Sequence, residues 1–502
     1  MGIKKYFATK DNTLTNAYES NLITRGTGSN MGAADILEAF VIHGQTTASV
    51  SATPSLSNFE NAEQSRILIE FPIDVVSSDM TAGTIPNSTG SVKFYLNLYN
   101  APHGNTLPYD FGLDVCMASQ SWTEGRGLDM DGYTDLGTSN WEYASAALTW
   151  SVDGASVHVG TNTSGAVSFS SGVENISLDV SEQVYKWLDT TDNDGFLIKF
   201  PDNAVSGSDS LYTKMFFART SEFYFYRPTL EARWDSARKD NRGNFFISSS
   251  MASSDNNLNT LYMYNIIRGQ LANIPSLTND KLMVEIFSGS TSPTGTALLV
   301  TDSDGSSITS VTGGLLVENG VEMTGIYTAS LASTSSLDII YDVWHTGSGG
   351  SRIEFYTGSY VPEALATSNL MYDTQYITTL TNLASTYSKG QKPRIRVFTR
   401  SKDWEPNIYT VATSDIVPHV IENAYYRIFR TIDNLEVIPY GTGSVVNNFT
   451  RLSYDVSGNY FELDTDCLQS GYSYGIQLAY YLQGDYREQP EVFKFRIEED
   501  EV

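Results

Sequence analysis

Apolar residues in this chain come in short runs or in alternation, and turn-forming Gly, Ser, Thr and Asn separate them. That rhythm predicts β-strands. In the first 240 residues eight runs qualify: 35–41, 66–71, 92–99, 113–117, 166–169, 195–200, 214–218 and 229–233. About eight strands in one unit suit a jelly-roll-like sandwich. One stretch keeps a helical period instead. Val180, Val184 and Trp187-Leu188 fall at i, i+4 and i+7/i+8, which gives two turns an apolar face. Asp179 or Ser181 is placed to cap that helix, and Gly195-Phe196-Leu197-Ile198 after it reads as a buried strand.

From about 245 to 360 the runs shorten to 261–270, 282–287, 297–301, 325–331, 337–344 and 352–356. Turns recur there about every eight to fifteen residues, as in an immunoglobulin-like sandwich. A third unit carries 394–399, 425–428, 435–439, 451–455, 460–463, 473–481 and 492–497. Within it Tyr474-Gly475-Ile476-Gln477-Leu478-Ala479-Tyr480 alternates as a half-buried strand does. The expected fold is all-β: a jelly-roll-like sandwich with one short helix, then two immunoglobulin-like β-sandwich domains. The boundaries expected are an N-terminal docking arm at 1–28, the jelly roll at 29–240, and sandwiches at 245–362 and 365–502. The charged, turn-prone Arg238–Asn244 reads as a linker.

Composition sharpens the picture in three ways. Aromatics are 12% of the 502 residues, with 31 Tyr and 23 Phe, which favours pleated surfaces where rings pack well. Net charge is −27, from 31 Lys+Arg against 58 Asp+Glu, and this opposes binding to phosphate backbones. Two cysteines far apart, Cys116 and Cys467, exclude a disulfide framework. The opening Met1–Phe7 has no apolar core of a secretory signal, and no apolar run is long enough to span a bilayer. Tyr6 stands where a myristoylation motif wants Ser or Thr. The expectation is a chain made in a host cytoplasm, with no membrane or nucleic-acid partner.

Several phrases, in order, resemble the DNRLRE domain, a β-sandwich related in shape to carbohydrate-binding modules. They are Asn30-Met31-Gly32 running to Leu37, Ser65–Pro72 with Arg66 ahead of an apolar run, and Val92–Tyr99. Ser121-Trp122-Thr123-Glu124-Gly125 follows, then the Asp179–Leu188 helix with its strand, and finally Ala218–Glu222 with Arg227-Pro228-Thr229-Leu230. The resemblance covers under half the chain and departs in a long insertion between Gly125 and Val173. The opening and the attached sandwich units are also similar to structural proteins of marine tailed phages, particularly myophages of cyanobacteria. That resemblance implies a virion component: a neck or collar fibre, a tail appendage or a capsid decoration.

Candidate chemistry is sparse. Glu124 offers itself as a catalytic acid, but glycosidase work needs two facing carboxylates, and no second one stands out. The competing account has Trp122 anchoring the core and Glu124 receiving a hydrogen bond or ion pair. Asp129, Asp131 and Asp135 form a candidate Ca²⁺ loop, and Asp189–Gly195 another, against the plain alternative of Asp-rich turns. Asp302-Ser303-Asp304-Gly305 is a hairpin-turn signal. His43, His103, His158, His345 and His419 are scattered, and no nucleophile elbow or phosphate loop occurs. In the insertion, Trp141, Tyr143 and Trp150 are candidate glycan-binding rings, or else packing residues. Lys4, Lys5, Tyr6 and Phe7 are candidate interface residues of the docking arm. The expectation is a non-enzymatic virion protein that assembles with copies of itself and other virion proteins and needs no cofactor, Ca²⁺ apart. The alternative is a carbohydrate-binding adhesion module for a host surface glycan.

Overall fold

The computed structural model describes the chain except residues 1, 22–23, 44–61, 131–134, 136, 162, 190–191, 276, 278, 364–374, 403–417, 444–446 and 499–502. Two compact units result, Ile3–Arg233 and Trp234–Val502, the second including Gly2. The fold is all-β with sandwich-like sheets.

The first unit runs β1 (Ile3–Phe7), β2 (Lys10–Thr15), β3 (Ile36–Ile42), β4 (Glu63–Glu70), α1 (Ile73–Thr81), β5 (Lys93–Leu98) and β6 (Phe111–Met117). There follow β7 (Tyr143–Ser145), β8 (Leu148–Thr149), β9 (Ser164–Phe169), β10 (Ile176–Asp179), α2 (Ser181–Asp189), β11 (Phe196–Lys199), α3 (Asp202–Val205), β12 (Leu211–Phe217) and β13 (Thr229–Arg233). One sheet has the order β1-β13-β5-β10, and the other β12-β3-β4-β11-β6-β9 with β2 also paired to β4. All eight expected strands are present, within a few residues of their expected ends.

β4 accounts for the single apolar run Arg66–Phe71. Ile67, Leu68 and Ile69 are all fully buried, so both faces of the strand are covered. Leu68 joins Leu14 and Leu197 in a cluster with Trp122, Trp141 and Trp150, whereas Ile67 and Ile69 point the other way by strand alternation. The expected helix is α2. Asp179 Oδ1 accepts from the Ser181 N–H at 3.0 Å and from its hydroxyl at 2.5 Å, and Val184 and Trp187 are buried. α1 is an addition that the sequence pattern does not announce. It buries Ile73, Val76 and Met80 at i, i+3 and i+7, but its β-branched and Ser/Asp residues are weak helix formers.

The second unit begins β14 (Asn259–Tyr264), β15 (Ile266–Ile267), β16 (Gln270–Leu271), β17 (Leu282–Ser288), β18 (Val300–Thr301), β19 (Ser307–Ile308), β20 (Ser310–Glu318), β21 (Val321–Leu331), β22 (Ile340–Thr346) and β23 (Ile353–Tyr360). Its six-stranded sheet has the order β14-β21-β20-β17-β22-β23 around a core that includes Trp344, Tyr327 and Phe245. The remainder carries β24 (Tyr376–Leu380), β25 (Thr386–Ser388), β26 (Arg394–Ser401), β27 (Ala424–Arg430), β28 (Glu436–Ile438), β29 (Ser453–Asp455), β30 (Gly458–Glu462), β31 (Ser473–Leu482) and β32 (Asp485–Glu498). These form sheets β24-β26-β30-β29 and β25-β32-β31-β27-β28. Tyr426 of one stacks on Phe461 of the other at 4.4 Å, and the Tyr480 hydroxyl meets the Thr378 hydroxyl at 2.7 Å.

The segment read as a linker is not a free tether. Lys239 bridges Tyr454 in parallel register, and the Arg238 and Asp240 backbones exchange hydrogen bonds with Tyr454. Arg242 then turns inward, 4% exposed at its side chain. It donates to Asp342 (3.0 and 2.5 Å), to Asp240 (3.2 Å) and to the Tyr262 carbonyl. Of the charges that make this stretch look solvated, Asp240 and Arg242 are spent on each other and on Asp342 inside the unit, and Arg238 pairs with Glu318.

Candidate functional site

Most residues singled out in the sequence have a definite place. Within the expected docking arm, Ile3–Phe7 pairs with β13 and Lys10–Thr15 with β4, so over these residues the segment is woven into the sandwich rather than projecting from it. Lys4 Nζ pairs with Asp79 at 2.6 Å, and the buried Tyr6 donates its hydroxyl to the same carboxylate at 2.7 Å, which fixes α1 against β1. Lys5 pairs with Glu231 at 3.0 Å, and Phe7 packs on Tyr224 at 4.8 Å.

The glycan candidates are also largely internal. Trp141 and Trp150 are 6% and 4% exposed and belong to the tryptophan cluster on β4, while Tyr143 is half-buried in β7. The two indole faces are covered, so neither is presented as a stacking platform for a sugar. Much of the insertion therefore serves as a cover on the large sheet: Trp150 Nε1 donates to the Asn140 carbonyl at 2.8 Å, and Arg66 lies over Trp141 at 4.8 Å.

Of the Ca²⁺ candidates, Asp131 lies outside the described residues. Asp135 accepts from the Arg126 N–H at 3.0 Å. Burial would raise its carboxyl, but that N–H and the Thr138 and Asn30 side chains hold it below its ordinary value. Among the described residues no group of three or more His, Cys, Asp or Glu side chains is gathered as a metal site. Asp302-Ser303-Asp304-Gly305 is the turn between β18 and β19, with Asp302 Oδ1 accepting from the N–H groups of Asp304 and Ser306.

Glu124 does acquire a second carboxylate, one that spacing does not reveal. Glu124 Oε1 accepts from the Asp11 N–H at 2.9 Å and from Arg219 Nε at 2.6 Å, while Oε2 meets Arg219 Nη2 at 2.5 Å. Asp11 is fully buried, and its Oδ2 accepts from the Arg219 N–H at 2.6 Å. The motif segments meet closely here. A Cβ on Gly125 would stand 1.9 Å from Asn30 Oδ1, and one on Gly32 would stand 2.3 Å from the Gly125 carbonyl oxygen. Both carboxylates answer to Arg219, Glu124 to its guanidinium and Asp11 to its main-chain N–H, instead of facing each other across a groove, so the cluster is a clamp and not an acid–base pair. Trp122 completes it, buried with Nε1 donating to the Asp194 carbonyl at 2.9 Å.

Burial lifts the Asp11 carboxyl to about 7, against the pull of the Arg219 N–H and with a push from Glu124. A carboxyl raised above its unfolded value contributes stability below about pH 4 that is lost as pH rises through 7. Asp11→Asn removes that titration. The variant should gain on the wild type by roughly 3 kcal/mol between pH 4 and pH 8, read from urea unfolding. Parallel stability profiles for the two proteins would show that Asp11 titrates normally.

One feature of the second unit points outward. β15 and β16 form a hairpin turning at Arg268-Gly269, both at positive φ (53° and 82°), as a two-residue type I′ turn requires. Ile266 is 62% exposed, Ile267 40% and Leu271 43%. Neighbouring residues of a strand face opposite ways, so both faces of this hairpin lie open. Its base is fixed: the Asn265 N–H donates to the Gly325 carbonyl at 2.8 Å, and Asn265 Nδ2 donates to the Ala272 carbonyl at 2.6 Å. The sequence run 261–270 reads as one strand, and Gly269 is the signal that divides it.

No helix among the described residues is long and apolar enough to cross a membrane. No family model matches the chain. No curated protein matches it either. Among solved structures it is similar to the crystal structure of a Salmonella alpha-2-macroglobulin mutant at 9% identity. That match takes in 98% of this chain and 28% of the other, with a TM-score of 0.14, too low to carry an argument about fold or function.

Proposed function

We propose that this chain is a non-enzymatic structural protein of a tailed-phage virion, a neck or collar, tail-appendage or capsid-decoration component that works by protein–protein assembly. The observation that carries the reading is the β15–β16 hairpin, an aliphatic tongue on a rigid base in an otherwise acidic chain. Exposed aliphatic residues on both faces of a two-strand hairpin gain free energy only when another surface covers them. The occupant proposed is a second copy of the chain, with Arg268 at the tip suited to its acidic surface, since net charge is −27. The sandwich-like sheets of each unit and the resemblance to DNRLRE domains and marine phage proteins agree with this role. The glycan-binding alternative loses its main support, because Trp141 and Trp150 are core residues.

Light scattering on the eluting chain tests the assembly step. The wild type should run as an oligomer, and Ile266→Asp with Leu271→Asp should shift it to the 55.3 kDa monomer with its melting temperature unchanged. A wild type that stays monomeric at high concentration, or a double variant that associates equally well, would contradict the proposal.

A further inference from the structure

Lys214, in β12, is fully buried, and among the described residues no carboxylate pairs with it. Its Nζ lies 2.6 Å from Asn100 Oδ1, 2.8 Å from the Gly172 carbonyl oxygen and 2.9 Å from that of Glu174. The Phe169 and Phe216 rings flank it at 5.1 and 4.9 Å. Lysine is a costly residue to bury merely as a hydrogen-bond donor. Asn100 lies just past β5, in one sheet of the sandwich, and Lys214 in an edge strand of the other; Asn100 also bridges Phe216 directly.

We propose that Lys214 and Asn100 condense spontaneously into an intramolecular isopeptide bond that staples the two sheets of the first unit together. The neutral amine keeps two N–H groups for the Gly172 and Glu174 carbonyls and turns its lone pair on the Asn100 side-chain carbonyl carbon. That carbon is one C=O bond of about 1.23 Å from Oδ1, hence within about 3.8 Å of Nζ. The Nζ–Cγ bond forms and the Cγ–Nδ2 bond breaks. The proton given up by Nζ passes to the departing nitrogen, which leaves as ammonia. No oxidant or further reactant is consumed. The Glu174 carboxylate is committed elsewhere: its Oε1 accepts from the Ser170 and Ser171 N–H groups at 3.0 and 2.7 Å, which hold it well below its ordinary value, so the proton passes within the Lys214–Asn100 pair itself.

Two further features favour the step. Burial pushes the Lys214 amine down to about 8, against the pull of Glu174, so about a tenth of it is neutral at pH 7. The phenyl rings exclude water that would otherwise compete at the same carbon. The link would close a loop between residues 114 apart in sequence.

Intact mass under denaturing conditions decides the matter on the full chain. The wild type should be lighter than its sequence mass by one ammonia, about 17 Da, and Asn100→Ala should show no such loss. A protease digest should yield a branched peptide joining Lys214 to Asn100. A wild type at full mass overturns the proposal even if Asn100→Ala fails to fold. So does a loss of about 17 Da that maps to a single linear peptide, the mark of a succinimide.

Discussion

Arg242→Met should lower the unfolding free energy of the Trp234–Val502 unit by about 3–5 kcal/mol. Methionine nearly fills the space of arginine, so the loss is electrostatic and not a cavity. Asp342 is fully buried and is held by the Arg242 guanidinium through Nε and Nη2 and by Trp344 Nε1 at 2.6 Å. Asp240 is also buried. Burial already lifts its carboxyl to about 6 against the attraction of Arg242. Without the guanidinium both carboxylates are stranded in a poorly polarisable interior, where removing one partner of an ion pair costs far more than removing the pair. The penalty should shrink as pH falls from 8 to 5, because protonation of the raised Asp240 carboxyl relieves its stranded charge. Adding Asp240→Asn and Asp342→Asn to Arg242→Met should recover much of the loss. Urea unfolding followed by tryptophan fluorescence measures all three proteins. A single variant within 1 kcal/mol of wild type would mean that the network does not hold this segment in place.

The second large effect is at Trp141. Trp141→Ala should cost about 3–5 kcal/mol through the cavity it opens beside Leu68, Trp122 and Trp150. It also removes the ring beneath Arg66, whose guanidinium, 4.8 Å away, donates to the Gly154 carbonyl at 2.9 Å. Gly154 is shaped to this ring: at φ 76° it has no Cβ, and one would sit 2.7 Å from the indole. Val159→Ala, at a position 95% exposed in the same insertion, serves as the control and should change stability by less than about 0.5 kcal/mol. Thermal and urea unfolding separate the two. A Trp141→Ala protein as stable as the control variant would show that the indole is not core and would return it to the candidates for ligand contact.

These two sites also show where sequence reading reaches and where it stops. Strands such as β6, β11 and β13 are legible because a short apolar run closed off by turn residues is seldom anything but a buried strand. β20 is not, because Gly313-Gly314 interrupts the run that Leu315 and Val317 continue. β2 is silent for a different reason. Lys10-Asp11-Asn12-Thr13-Leu14-Thr15 is polar almost throughout, yet Asp11 to Thr15 are fully buried. Their side chains face protein partners in place of water, as when Asn12 Nδ2 donates to the Ser139 hydroxyl at 2.8 Å. With β2 invisible, the Asp11 partner of Glu124 is invisible too. Trp141 and Trp150 are ambiguous, because an aromatic among Asn and Asp neighbours describes both a sugar platform and a core edge satisfied by polar caps. Only burial separates them. Arg238–Asn244 misleads in the same way, since a charge run looks alike whether its counter-charges are water or Asp342.

The measurement that bears most directly on the proposed virion role is immunogold electron microscopy of purified tailed-phage particles from the source, with antibody raised against the recombinant chain. Gold at regular positions on the neck, tail or capsid is the predicted result, and wild-type chain bearing an intact β15–β16 hairpin should be the form that is incorporated. Particles bare of gold, while disrupted host cells label strongly, would contradict a structural role in the virion.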